Sequence, residues 1–253
     1  MPDSGQEVQG HPSSQPLGVM LFAAGLGTRF KPWTNEHPKA LAPVNGKSLL
    51  ERNIRYLQQY GLKDVVINVH HFASQITDAI NIHNGWGSTI HISDERQQLL
   101  ETAGGLKQAA PLLPYKHILL MNVDILTDLD LNGMMDFHFK ELPLATLAVT
   151  NRKSSRYFLF DEENTLCGWK NEKTGELRMS RNCPQYSAKA FSGIHIVQRS
   201  ILESIPPKQK AGIVDVYLQL AASEQIKAFD HSGSKLIDVG KPEAIEAAEK
   251  LFA

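Results

Sequence analysis

The sequence predicts an α/β domain built on a parallel sheet, and three observations predict it. Over the first 150 residues, short apolar runs alternate with helical apolar periods, as in strand–helix–strand crossovers. The first apolar run ends in a Gly-x-Gly loop at Gly25 and Gly27. A later run ends in a carboxylate, Asp124, and the carboxyl ends of parallel strands are where open α/β sheets bind ligands.

Residues 19–24 are a buried strand that stops at Gly25. The loop that follows passes Arg29 and Pro32 on its way to Pro38-Lys39 and Pro43. Ser48 and Glu51 have capping-box spacing, and Leu50, Ile54 and Leu57 give the next helix one apolar face before the stop at Gly61. Residues 64–70 read as a strand, 74–82 as a helix and 89–94 as a strand alternating through Ile90 and Ile92. A helix over 102–113, a strand over 117–126, a helix over 131–142 and a strand over 144–149 continue the alternation.

The pattern changes after Asn151. Residues 157–160, 165–169 and 176–178 read as short strands joined by polar turns, so a small β-rich insertion is expected over about 152–186. Residues 190–197 return as a core strand, 200–205 and 214–223 as helices, and 226–230 and 235–239 as strands. Residues 242–252 close the chain as a helix with Pro242 in its first turn. Residues 1–18 are rich in Pro, Ser, Gln and Gly and lack the basic start and apolar middle of a secretory signal. They are expected to be a flexible extension, with one domain over 19–253.

Composition excludes several classes. With 26 Lys+Arg against 27 Asp+Glu the net charge is -1, which leaves no broad basic field for nucleic acid and no polybasic membrane anchor. No apolar stretch approaches the ~20 residues of a membrane span. Two cysteines, Cys167 and Cys183, make no disulfide framework and suit a reducing, cytoplasmic setting.

The loop is neither of two common phosphate-binding motifs. Gly25-x-Gly27-x-x-Phe30 lacks the third glycine of the dinucleotide fingerprint, and no acidic residue follows at the required distance. Gly46-Lys47-Ser48 imitates the end of a Walker A loop, but Leu41 stands where its leading glycine belongs. Gly25 and Gly27 still allow close backbone approach to an anion, Arg29 can fork onto phosphate oxygens, and Lys39 adds a second positive charge.

The stretch LFAAGLGTRFKPWT…PKAL resembles the signature AAGxGxRxxPxT…PKxL of sugar-1-phosphate nucleotidylyltransferases. LLETAGG, with the short chain, is most similar to the N-acetylmuramate-1-phosphate uridylyltransferase group. The resemblance implies a single nucleotide-diphospho-sugar transferase-like, Rossmann-like domain with a mostly parallel, mixed central sheet flanked by helices. It also implies that Ala24, Gly25, Gly27, Thr28, Arg29 and Lys39 bind nucleotide phosphates.

Asp124, in Asn122-Val123-Asp124, and Asp238, in Asp238-Val239-Gly240-Lys241-Pro242, each end an apolar strand. Mg²⁺ prefers one or two carboxylates completed by phosphate oxygens. Each aspartate taken alone is equally a turn or capping residue. In similar enzymes these two positions hold the catalytic magnesium. Val123 and Lys241 depart from the family's usual Gly and Thr but leave the carboxylates in place. Asp128 and Asp130 are expected to cap the helix from Leu131.

Thr102, Gly104 and Gly105 stand before a helix, where glycines would admit a flat base and expose amides to its edge. A Thr102 helix cap is the structural alternative. The family's ETGGG implies nucleoside contact here, with Ala103 replacing one glycine. Phe191-Ser192-Gly193-Ile194 resembles the family's F-[ST]-G-I strand, whose glycine sits against the acceptor sugar. Asp215 reads first as a helix-start residue and second as an acceptor contact. Lys170 and Lys189 are expected to be solvated charges with an acceptor-phosphate role as the alternative, and Trp169 is either core or sugar-facing. His70 and His71 point to opposite faces of a strand, so they do not form one metal site and are placed at the cleft rim.

The reading is a Mg²⁺-dependent enzyme that transfers a nucleotidyl group from an NTP to a sugar 1-phosphate. Arg29, Lys39, Asp124 and Asp238 are its catalytic residues, and Asp124 and Gly193 contact the acceptor. UTP and N-acetylmuramate 1-phosphate are the expected pair, in cell-wall nucleotide-sugar biosynthesis. CTP or GTP with choline phosphate, mannose- or heptose-1-phosphate is the alternative. A non-catalytic nucleotide-binding subunit and a glycosyltransferase are the competing classes.

Overall fold

A computed structural model describes residues 16–253. The expected extension therefore lies outside the described residues up to position 15. Residues 17 and 18 already belong to the first strand, β1 (Leu17–Phe22). Three 3-10 turns follow, Thr28–Phe30, Trp33–Asn35 and Lys39–Leu41, and then the hairpin β2 (Pro43–Val44) and β3 (Lys47–Ser48). The alternation continues as α1 (Leu49–Gln58), β4 (Asp64–Val69), α2 (Ala73–Ile82), β5 (Thr89–Asp94) and α3 (Glu101–Ala109). Next come β6 (His117–Asn122), β7 (Ile125–Thr127), α4 (Leu131–Glu141) and β8 (Ala145–Thr150). The remainder is β9 (Arg156–Phe160), β10 (Leu166–Asn171), β11 (Glu176–Met179), β12 (Ser187–Gln198), α5 (Ile213–Leu220), β13 (Ile226–Asp230), β14 (Leu236–Asp238) and α6 (Ala244–Leu251).

One mixed sheet runs in the order β11-β10-β9-β12-β6-β1-β4-β5, with β8 paired to β12 and β13 to β8. β1, β4, β5 and β6 are mutually parallel, while β12 runs antiparallel to β6, β8 and β9. Helices cover both faces, and the period of two along β1 shows how. Val19 and Leu21 pack with Ile54 and Leu57 of α1, Ile76 of α2 and Met134 of α4. Met20 and Phe22 pack with Leu106 of α3 and with Val216 and Tyr217 of α5 on the other face. Burial on both faces is why β1 reads as an unbroken apolar run. No helix among the described residues is long and apolar enough to cross a membrane.

Four expectations are corrected. The strand expected over 117–126 is two strands. Val123 N still bonds Phe22 O at 3.1 Å, but Asn53 of α1 captures Val123 O at 2.8 Å and the chain turns out of the sheet. β7 then pairs antiparallel with β14, placing Asp238 opposite Ile125, and Val239 N donates to Asp124 O at 2.9 Å. The β-rich stretch extends the main sheet itself, because the twelve-residue β12 pairs with β9 at its start and with β6 and β8 further on. The helix expected over 200–205 is a 3-10 turn, Arg199–Ser204, and Pro242 precedes α6, which starts at Ala244.

Candidate active site

The carboxyl ends of β1 and β6 open into a cleft of about 520 Å³. Its walls include the whole 24–29 loop, Lys39, Asn68, Glu95, Thr102, Asn122, Asp124 and Gly240. The loop is shaped by its glycines and by Thr34. Gly27 has φ +60°, Phe30 N bonds Gly27 O at 2.7 Å, and Thr34 Oγ1 donates to the same oxygen at 2.9 Å. The turn Thr28–Phe30 anchors Phe30 in the core and leaves Arg29 exposed at the cleft.

The turn Lys39–Leu41 carries Lys39 inward, beneath this loop. Its Nζ is 5.7 Å from the centre of the Phe30 ring and forms an ion pair with Asp124 Oδ2. Asp124 occupies the break between β6 and β7, and Asp238 comes to its side through the β7–β14 pairing. Asp238 lies at the open edge, yet the protein around it displaces enough water to hold its carboxyl above the usual range, and the charge of Asp124 adds to the effect. Lys39, Arg29 and Arg152 act in the opposite sense. Gly240 completes the corner: a β-carbon there would lie 2.9 Å from Asp238 Oδ1 and 3.3 Å from Arg29 Nη2. Arg29, Lys39 and Asp124 thus line one cleft, and Asp238, from a fourth segment, stands at its edge beside Gly240.

This donor set suits a divalent cation in one specific way. Among the described residues no group of three or more His, Cys, Asp or Glu could hold a metal. The pair Asp124 and Asp238 offers hard carboxylate oxygens close enough to oppose one another's charge. Two such carboxylates are the number that a divalent cation completed by phosphate oxygens takes from a protein.

One polar network has no counterpart in the sequence reading. Asn68 Oδ1 accepts from Ala23 N at 2.7 Å and Ala24 N at 3.3 Å, and Asn68 Nδ2 donates to Glu95 Oε1 at 2.7 Å. Glu95 Oε2 accepts from Leu100 N at 3.2 Å, and burial holds the Glu95 carboxyl above its ordinary range despite these bonds. The network ties the start of the glycine loop to the wall that precedes α3. Its one sequence signal is Asn68, a polar residue inside an apolar strand.

Other expectations are redistributed. Gly104 and Gly105 lie buried inside α3 and do not present free backbone to the cleft. Ala103 N and Gly104 N both donate to Ala211 O. A β-carbon at Gly105 would lie 2.6 Å from Glu95 Oε1, and one at Gly104 would lie against Gln209 O. These glycines let α3 approach its neighbours. Thr102 does line the cleft, but its hydroxyl accepts from Ile213 N at 2.9 Å and does not cap α3. Gly193, with φ +73°, lies behind Asn122, and a β-carbon there would be 2.8 Å from Asn122 Nδ2.

His70 Nδ1 bonds Glu95 O and the His71 ring lies tilted against Phe72, and neither histidine lines the cleft. Asp130 caps α4 through Asn132 N, while Asp128 accepts from Lys235 N. Asp215 pairs with Arg178, Lys170 with Glu172 and Lys189 with Asp230. Trp169 packs partly buried against the core, with the Arg178 guanidinium 6.0 Å from its ring centre. Cys167 and Cys183 are free thiols.

Known proteins resemble this chain in sequence or in fold. The chain is 41% identical over 114 residues to the N-acetylmuramate alpha-1-phosphate uridylyltransferase of Caulobacter vibrioides, covering 44% of this chain and 47% of that protein. It is 42% identical over 114 residues to the enzyme of the same name from Neisseria meningitidis serogroup B, covering 45% of this chain and 49% of that protein. The match thus spans about half the length of these relatives. The crystal structure of HddC from Yersinia pseudotuberculosis complexed with GMP-PN superposes with TM-score 0.77 at 21% identity, covering 94% of this chain and all of that one. It shares the fold, a nucleotide-diphospho-sugar transferase architecture. The sequence of residues 18–253 matches the Nucleotidyl transferase family throughout, and the chain belongs to that family.

Proposed function

We propose that this protein transfers a nucleotidyl group from a nucleoside triphosphate to a sugar 1-phosphate, releasing pyrophosphate and forming a nucleoside diphosphate sugar. UTP is the donor and N-acetylmuramate 1-phosphate the acceptor in this reading, which the partial likeness to the two uridylyltransferases supports. The reaction belongs in the cytoplasm, where free Cys167 and Cys183 stay reduced. The observation that carries the reading is the gathering of Arg29, Lys39 and Asp124 in a cleft walled by the glycine loop, with Asp238 near enough to feel their charges.

An oxygen of the acceptor phosphate attacks the α-phosphorus, the bond to the β-phosphate bridge breaks, and pyrophosphate leaves with the bonding electrons. The attacking oxygen is already anionic, so no general base is required. What the protein supplies is position and charge. The loop amides and Arg29 hold the departing β- and γ-phosphates, and Lys39 neutralises charge near the α-phosphate. Thr102 and the neighbouring wall receive the nucleoside, and Asn122, backed by Gly193, borders the acceptor. Asp124 and Asp238 would hold Mg²⁺, which when bound supplies positive charge to the phosphate oxygens.

The test is a matrix of UTP, CTP, GTP and ATP against several sugar 1-phosphates with Mg²⁺, read by pyrophosphate release. Turnover with UTP and N-acetylmuramate 1-phosphate above the other pairs is expected. Preference for another pair overturns the substrate choice. Tight nucleotide binding without turnover on any acceptor overturns the reaction in favour of a regulatory subunit.

A further inference from the structure

A second polar pocket, of about 320 Å³, is lined by Thr150, Asn151, Arg152, Ser232, Ser234 and Leu236. It adjoins the reaction corner. Leu236 and Asp238 are two residues apart on β14 and project to the same face, and the positive charge of Arg152 reaches Asp238.

Its lining is polar except for Leu236. Among the described residues five buried side-chain polar atoms lack a partner, and three belong to this region: Thr150 Oγ1 and Arg152 Nε on lining residues, and His231 Nδ1 on the residue before Ser232. Thr150 and His231 are 4% and 6% exposed, so water does not serve them freely. The strand register brings them together. Asp230, just before His231, pairs with Val149, just before Thr150, and His231 N donates to Val149 O at 3.0 Å.

His231 Nε2 shares a hydrogen bond with Ser192 Oγ at 2.7 Å, and Arg152 Nη2 donates to Phe191 O at 2.9 Å. Ser192 and Phe191 adjoin Gly193, the residue behind Asn122 of the main cleft. Burial pushes His231 down to about 4, so it is neutral near pH 7 and Arg152 is the positive charge of the pocket lining. Half-buried Arg152 makes no ion pair among the described residues, although buried charges are ordinarily paired.

We infer that this pocket is an anion subsite that receives a second acidic group, a carboxylate or a second phosphate, carried by the acceptor sugar phosphate. The inference rests on the reaction proposed above and narrows its substrate class. A guanidinium flanked by hydroxyl and amide donors suits a planar or tetrahedral oxyanion.

The test compares matched acceptors. N-acetylmuramate 1-phosphate differs from N-acetylglucosamine 1-phosphate by its lactyl carboxylate, and glucose 1,6-bisphosphate differs from glucose 1-phosphate by a second phosphate. In the wild type the acidic member of one pair is expected to have a KM lower by at least about tenfold, and the pair that responds tells carboxylate from phosphate. Arg152→Gln is expected to erase most of that ratio and Thr150→Val part of it, with circular dichroism confirming both folds. A ratio near one in the wild type, or a ratio unchanged in a folded Arg152→Gln, overturns the subsite. If no acceptor is turned over, the proposed reaction fails. Calorimetric titration of the same acceptors then judges the subsite alone, and an acidic member that binds no tighter than its neutral partner overturns it.

Discussion

Lys39 and Asp124 pair across the floor of the cleft although 85 residues separate them in the sequence. The side chains are 11% and 23% exposed, so the pair is only partly solvated. Lys39 occupies the carboxylate that a divalent cation would also use. Lys39→Met is therefore expected to tighten Mn²⁺ binding, followed by electron paramagnetic resonance, while lowering kcat on the order of 100-fold. Weaker metal binding in the variant would mean that Lys39 organises Asp124 rather than competing for it.

Asp238 is held above the ordinary carboxyl range by partial desolvation and then by Asp124. A group whose folded pKa is raised contributes stability below its unfolded pKa and loses that contribution as pH rises through the folded value. At pH 7 the ionised Asp238 is thus a mild burden on the fold, discounted because it stays at the open edge. Asp238→Asn is expected to leave Tm unchanged or raise it by no more than about 2 °C at pH 7. The gain should vanish below about pH 4, the unfolded range. Turnover falls by orders of magnitude. A clear loss of Tm at pH 7 would show that Asp238 is a structural residue.

Gly25 and Gly27 separate two kinds of glycine requirement. A β-carbon at Gly25 would meet nothing within 4 Å, whereas one at Gly27 would lie 2.8 Å from Thr34 Cγ2 in a backbone with φ +60°. Gly25→Ala should therefore unfold at the wild-type urea concentration while nucleotide affinity falls, because the methyl group enters the cleft. Gly27→Ala should lose about 1–2 kcal/mol of stability as well. If Gly25→Ala binds nucleotide as well as the wild type, the loop does not contact the ligand at that point.

Asn68 serves two backbone amides and a buried carboxylate at once. Asn68→Leu leaves all of them short of partners and is expected to cost on the order of 3 kcal/mol in urea unfolding. Nucleotide binding should weaken in parallel, since Ala23 and Ala24 lead into the glycine loop. A loss below about 1 kcal/mol would mean that other groups take over those amides.

Most of the sheet was legible because apolar period and strand burial are the same fact seen twice, as along Val19, Met20, Leu21 and Phe22. That Arg29, Lys39 and Asp124 share one cleft was legible because clefts of open α/β sheets form at strand ends and the loops that follow them. The split between β6 and β7 was not, since an apolar run carries no mark of the Asn53 side chain that captures Val123 O. Asn68 and Glu95 stayed hidden for a similar reason: their partnership spans 27 residues and breaks no local rule. Gly104 and Gly105 were misplaced because bare backbone looks the same in sequence whether a ligand or Gln209 fills the space. Thr150, Arg152 and His231 meet only through the β8–β13 register.

The β7–β14 ribbon sets Asp238 opposite Ile125 and bonds Val239 N to Asp124 O. A strand register moves only in whole residues, and one step would turn Asp238 to the opposite face. The separation of the two carboxylates is therefore a discrete quantity with no near-miss values. Changes of length in the exposed loops between residues 128 and 235 therefore leave the spacing of the two carboxylates untouched, because the ribbon alone sets it.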